Sequence, residues 1–265
     1  MYAAMHLHGS RVVRRWKRWA WLAVGIILGA WLLLAAPCAL LSCPTRDTAD
    51  DFLATADDAS KRDHEEAHKL CATLPFMPSN RQLEPTGSPQ LGSGGPYQVV
   101  YEWIPRVSTY GINDSVTYTT HTTPELMHHV SELSQRWTGP ISVAVYVPHT
   151  DYCLAAIKIA RLRVCGPKQV RELVSWHLYW PQEAPPVQKW NLLVNEADLD
   201  CTEPETLVKG YRATRSLSYP VNVARNVART AAPTWFVLPS DVELYPSAGL
   251  PENFLEMAHR VTKGI

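Results

Sequence analysis

No excess charge of either sign marks this chain: 25 Lys and Arg stand against 25 Asp and Glu over 265 residues, a formal net charge of zero. That balance gives no case for nucleic-acid binding, which shows as a basic face. None of the spacings among the six cysteines is a zinc pattern. No internal repeat is visible. Other absences are local. Residues 1–46 hold no carboxylate although they carry Arg11, Arg14, Arg15, Lys17, Arg18 and Arg46. Charge of any kind is missing from Trp19 to Leu41. Carboxylates are missing again from Thr206 to Ser240, where Lys209, Arg212, Arg215, Arg225 and Arg229 accumulate.

The uncharged run, WAWLAVGIILGAWLLLAAPCALL, exceeds the roughly 20 apolar residues that cross a bilayer core. A cleaved signal peptide is the competing reading, but its apolar region runs to only about 7–15 residues. The basic cluster before the run places the N-terminus in the cytosol. Residues 1–18 are therefore read as a cytosolic tail and 19–41 as a type II signal anchor, which puts the rest in a lumenal, oxidising compartment.

Cysteines there are expected to pair. Cys71, Cys153, Cys165 and Cys201 allow three connectivities, which sequence alone does not separate. Cys153 and Cys165 bracket one expected helix, whose twelve residues span about 18 Å, too far for a bridge. Cys165 with Cys201 is preferred. Asn113-Asp114-Ser115 is an N-glycosylation sequon. Residues 42–95 read as a solvated stem, rich in Asp and Ala and then in Pro, Ser and Gly, with little apolar surface.

From Pro96 the pattern changes to that of a folded domain. Tyr97–Ile104 and Ser115–His121 read as strands. Pro124–Trp137 reads as a helix, with Pro in a favourable first turn. Pro140–Val147 and Leu173–Trp180 are apolar enough for strands buried on both faces. Thr150–Arg163 reads as a helix with Thr150 as its N-cap. Pro181–Ala213 carries no clear pattern beyond Trp190–Val194, which fits a short strand. Helices alternating with apolar strands predict an α/β fold with a mainly parallel sheet.

Tyr219–Ala232 is expected to be an amphipathic helix. Val221, Ala224, Ala228 and Ala231 form its inner stripe, and Asn222, Arg225, Asn226 and Arg229 the opposite one. An ordinary solvated face mixes signs; a basic stretch without carboxylates calls for an anion. Thr234–Pro239 reads as a short buried strand leading into Ser240-Asp241-Val242-Glu243. Alternation along that strand would put Asp241 and Glu243 on one side, where both can reach a hard cation such as Mn²⁺ or Mg²⁺. The C-terminal ends of strands in an open α/β sheet are where ligands bind.

YPVNVARNVAR followed by VLPSDVELYPS resembles the signature of the LARGE and β-1,4-glucuronyltransferase group, glycosyltransferase family 49. Ser115–His121, Gly139–Val147 with Asp151, and Trp176–Trp180 support the resemblance, which covers Pro96 to the C-terminus. It implies a GT-A fold and a Golgi type II enzyme that transfers glucuronic acid, with inversion, from UDP-glucuronic acid to a xylose-containing acceptor on a glycoprotein. The acidic pair would bind Mn²⁺ and the UDP diphosphate, a role falling on Asp241 and, by position, Glu243. Asn222, Arg225 and Arg229 would add donors to the nucleotide-sugar. Thr119, Thr120 and His121 lie where uridine is usually cradled; His121 is read as structural rather than catalytic.

Two departures qualify the likeness. Glu243 stands where the family generally has Asp. Ile265 follows the motif closely, so 96–265 is expected to be the donor-binding half of a GT-A domain, with the general base beyond the C-terminus. Two other functions fit the residues: transfer of a different UDP-sugar, and an inactive lumenal protein that binds glycan or a partner enzyme.

Overall fold

The computed structural model describes residues 61–62, 65–74, 76–79, 84–85, 97–202 and 209–262. The expected signal anchor at 19–41 lies outside them. Among the described residues no helix is long and apolar enough to cross a membrane.

A six-stranded sheet organises the molecule. Its strands are β2 (Glu84–Pro85), β3 (Tyr97–Ile104), β4 (Val116–Thr122), β5 (Ile141–Tyr146), β6 (Val174–Pro181) and β8 (Phe236–Pro239), in the order β2-β3-β6-β5-β4-β8. From β6 through β5 and β4 to β8 every pairing is parallel, while β3 and β2 add an antiparallel flank. The sheet is thus mainly parallel, as the alternating pattern predicts. β5 and β6 are buried along their whole length, the reason their sequences read as continuous apolar runs.

Helices cover both faces. Ile141, Val143 and Val145 of β5 point into one core, together with Val130 and Leu133 of α2 (His129–Arg136), Ile159 of α3 (Asp151–Val164) and Val170 of α4 (Lys168–Leu173). Ala144 and Tyr146, the alternate residues, face a second core closed by α6 (Val221–Thr230). That alternation is the period of two expected of a strand between two layers.

Several local expectations change. Pro124–Trp137 is not one helix: Pro124–Leu126 is a 3₁₀ turn, and α2 starts at His129, with the intervening Met127 fully buried. Thr150 holds the N-cap position of α3 but has helical φ and ψ, so its side chain makes no cap bond; capping needs an extended residue there. The inner stripe of α6 is Val223, Ala224, Val227 and Ala228, while Val221 is exposed. β8 is an edge strand and only half-buried, where a buried one was expected.

Cys165 and Cys201 are bridged, with Cα atoms 5.6 Å apart, as preferred from sequence. Cys71 bridges to Cys153, Cα to Cα 5.4 Å. That second bridge fastens α1 (residues 65–73) to α3, and Ala67 and Cys71 are buried. β1 (Phe76–Pro78) pairs antiparallel with β7 (Leu192–Val194). Segments of the span read as solvated stem therefore pack on the domain, through a disulfide and a strand pairing that its thin apolar pattern does not advertise.

Candidate donor-binding site

The chain runs from β4 to β5 and β6 on one side of the sheet, then returns through α6 to β8 on the other side of β4. β4 is the point where strand order reverses, and the crevice beyond the C-terminal ends at such a point is where open α/β sheets bind ligands. A cleft of about 370 Å³ lies there. His121, Thr122 and Thr123 line it from the end of β4, and Asp241, Val242 and Glu243 from the segment after β8. Arg212, Tyr219, Val221 and Arg225 close it from the side of α6, with Leu126 at its rim.

Asp241 and Glu243 are brought together, though not by strand alternation. β8 ends at Pro239 and the acidic residues sit on a turn, in which the Leu244 N–H donates to the Asp241 carbonyl (3.1 Å). Val242 between them is buried in the core, so its two neighbours turn outward. The Tyr118 hydroxyl of β4 fixes this turn, donating to the carbonyls of Asp241 (3.2 Å) and Leu244 (2.5 Å). The Ser240 N–H continues the β4 ladder by donating to the Thr119 carbonyl (3.1 Å).

Arg225 reaches from α6 to this turn and donates from Nη2 to Asp241 Oδ1 at 3.1 Å. His121 approaches the same oxygen: its Nε2 lies 3.4 Å away, buried and without a hydrogen-bond partner. Its Nδ1 is 3.0 Å from the Tyr219 hydroxyl. Burial holds the His121 pKa below its ordinary value, against the opposing pull of the Asp241 carboxylate, and Arg225 adds to the depression. The imidazole is therefore neutral near pH 7. Burial pushes the Tyr219 hydroxyl upward, so it keeps its proton.

Carboxylate oxygens beside an unpartnered imidazole nitrogen make a donor set suited to a divalent cation such as Mn²⁺. Among the described residues no three His, Cys, Asp or Glu side chains form a ready-made metal cluster. Such a site would be completed by oxygens from a ligand, as is usual for cations that bridge phosphates.

The other sequence candidates are distributed as follows. Arg225 is in the cleft, whereas Asn222 and Arg229 lie on the exposed face of α6 outside its lining. Thr119 and Thr120 are buried within β4; the cleft is lined by the next three residues instead. Asn113 is exposed in the turn between β3 and β4, where the Asp114 carboxylate accepts the Gly111 N–H (2.6 Å). Arg212 and Tyr219 were missed as lining residues. Arg212 belongs to the carboxylate-free stretch, which was the available signal.

Known proteins share sequence with this chain. The chain is 32% identical over 148 residues to a beta-1,4-glucuronyltransferase 1 of Danio rerio, covering 52% of this chain and 34% of that relative. It is 28% identical over 176 residues to the beta-1,4-glucuronyltransferase 1 of Homo sapiens, covering 63% of this chain and 41% of that one. The chain thus spans less than half the length of the curated relatives it matches. The family described as "Glycosyl-transferase for dystroglycan" matches residues 115–264, a range that takes in β4, α6 and the acidic turn together. On that match, over more than half of its length, the chain belongs to glycosyltransferase family 49.

Proposed function

We propose that this chain carries the donor-binding part of a metal-dependent, GT-A-type glucuronyltransferase. It takes UDP-glucuronic acid as donor and a xylose-containing glycan on a glycoprotein as acceptor. The observation that carries this reading is the convergence of Asp241, Glu243, His121 and Arg225 on one cleft at the strand-order reversal. Family membership and the names of the relatives support the donor and the sugar. The Golgi, type II arrangement rests on the apolar run at 19–41 and the two disulfides.

Asp241 and Glu243 would hold Mn²⁺ or Mg²⁺, with His121 Nε2 as a further donor. When bound, such a cation neutralises the charge that develops on a departing diphosphate. Arg225 faces the same charge with a forked donor group. Thr122 and Thr123, at the end of β4, offer backbone and hydroxyl groups to the nucleoside. Tyr219 holds His121 in register with Asp241.

The test is a titration of the chain with UDP in the presence and absence of Mn²⁺, followed by a transfer assay with UDP-glucuronic acid and a β-xyloside. Cation-dependent UDP binding is expected, and its loss in Asp241→Asn together with Glu243→Gln. Cation-dependent binding that survives the double substitution would remove the metal assignment. No UDP binding under any condition would remove the donor-site reading.

A further inference from the structure

Arg212 stands out among the cations of the cleft. It lines the cavity, its Nε is buried without a hydrogen-bond partner, and among the described residues it makes no ion pair. Arg225, by contrast, already spends its charge on Asp241. The Asp151 carboxylate acts on this guanidinium through its charge without forming an ion pair, and a buried Nε left without a hydrogen-bond partner is an unfavourable arrangement unless a ligand completes it.

The structure also shows what holds Arg212 there. Asp151, fully buried at the start of α3, accepts the backbone N–H of Tyr211 (2.6 Å) and of Arg212 (3.0 Å), the opening residues of α5 (Tyr211–Thr214). Gly210 permits that approach. A Cβ there would lie 2.5 Å from Asp151 Oδ1 and 3.0 Å from Glu125 Oε1. The Tyr211 ring stacks on His149, centroids 4.4 Å apart, and fixes the segment from its other side. Two independent contacts thus position the backbone from which Arg212 projects.

We propose that Arg212 reads an anionic group of the nucleotide-sugar, and that Asp151 is the residue positioning it. The chemistry is an oxyanion with two acceptor oxygens, which a guanidinium meets with paired N–H donors. A nucleotide-sugar offers it in two places: the diphosphate, and the carboxylate of a uronic acid. The inference rests on the donor-site reading above and deepens it.

The test uses the whole chain with Mn²⁺ and three ligands, UDP, UDP-glucose and UDP-glucuronic acid, titrated calorimetrically. A charged hydrogen bond is worth about 1.5–3 kcal/mol, so Arg212→Gln is expected to weaken binding roughly 10- to 100-fold. An equal loss for all three ligands assigns Arg212 to the diphosphate. A loss confined to UDP-glucuronic acid assigns it to the sugar carboxylate, and either outcome upholds the proposal. Arg212→Lys, which keeps the charge and loses the fork, should fall between. Unchanged affinity for all three ligands in a variant that melts like the parent overturns it.

Asp151→Asn tests the positioning role. Its loss of affinity should fall on the same ligand as that of Arg212→Gln, and the double variant should bind no worse than Arg212→Gln alone. Additive losses would show that Asp151 acts on binding independently of Arg212, and unchanged affinity in Asp151→Asn would show that it acts only on stability; either result overturns the positioning role. If the unaltered chain binds none of the three ligands, the donor-site reading fails and this inference with it. Binding by the parent with an unaffected Arg212→Gln removes the inference alone.

Discussion

Arg225 and Asp241, sixteen positions apart, are joined across the cleft by a hydrogen-bonded ion pair of 3.1 Å. The pair links the carboxylate-free helix to the acidic turn, and it occupies the oxygen that a cation would need. Both side chains are partly exposed, at 51% and 40%, so the pair itself is worth no more than about 1 kcal/mol. Replacing Arg225 by Gln should act with opposite signs on two ligands. Mn²⁺ alone should bind a few-fold more tightly, because a competing cation is gone. UDP in the presence of Mn²⁺ should bind more weakly, because a phosphate donor is gone. Paramagnetic resonance for free Mn²⁺ and calorimetry for UDP check the two arms, and a change of the same sign in both would contradict the arrangement.

The helix bearing Arg225 is fixed to the sheet by a directed chain of buried hydrogen bonds. The Glu102 N–H donates to His177 Nδ1 (2.8 Å), which leaves the Nε2 proton to donate to Ser142 Oγ (3.0 Å). Ser142 in turn donates to the Ala228 carbonyl of α6 (2.7 Å). Glu102 is free to make this bond because β3 breaks register between Val100 and Ile104, and its own φ is +46°. Ser142→Ala would strand a buried imidazole N–H. A loss of about 1–3 kcal/mol in unfolding free energy is expected by urea denaturation. A variant as stable as the parent would show that these groups find other partners.

Two buried groups drive stability in opposite directions with pH. Burial, with the Glu125 carboxylate adding to it, raises Asp151 to about 7 against the hydrogen bonds of Arg212 and Tyr211 and the Arg212 charge. Tyr146 is the other titratable group coupled to it. Between about pH 4 and 7 the folded chain therefore keeps a proton that the unfolded chain releases, and stability from this group falls as pH rises. Burial, reinforced by the Arg106 charge, lowers His177 to about 3. Below about pH 6.5 the unfolded chain takes up a proton that the folded one refuses, so stability from this group falls as pH falls. In the parent the two slopes oppose. Asp151→Asn removes only the first, so its melting temperature should drop more steeply from pH 6.5 to 4 than that of the parent. Parallel profiles would show that Asp151 titrates as an ordinary carboxyl.

The periodicities that place the site are written in the chain, because burial on two faces leaves long apolar runs at β5 and β6. The alternation of strands and helices follows from the same kind of local signal, whereas for the cysteines helix length excludes only a Cys153–Cys165 bridge and leaves Cys165 with Cys201 a preference. What sequence does not carry is the turn at Asp241. The strand pattern extends naturally through Ser240-Asp241-Val242-Glu243, and only the buried Val242 and the distant Tyr118 hydroxyl show that the chain bends there. Arg212 is illegible for a related reason: its placement depends on Asp151, sixty positions earlier, and on the absence of a side chain at Gly210. His121 reads from sequence as a structural residue at a strand end where uridine is usually cradled, with nothing to mark it as a neighbour of the acidic turn. Its neighbours Tyr219 and Asp241, far along the chain, give its two ring nitrogens their separate surroundings.

Tyr118 offers a way to loosen the acidic turn without touching a ligand-bearing side chain. Its ring packs edge-on against Trp137, with centroids 5.3 Å apart, and is itself 1% exposed, so Tyr118→Phe keeps the packing and removes only the hydroxyl. The carbonyls of Asp241 and Leu244 then lose their shared donor. Leu244 is exposed and water can replace the bond there, so the stability loss should be about 1 kcal/mol. The effect on the site should be larger in proportion, because Asp241 and Glu243 converge only while the turn holds its shape. Cation-dependent UDP binding is expected to weaken several-fold while binding of UDP without metal stays the same. If both change equally, the hydroxyl supports the fold in general rather than the acidic turn, and the geometry of Asp241 and Glu243 is set by Val242 alone.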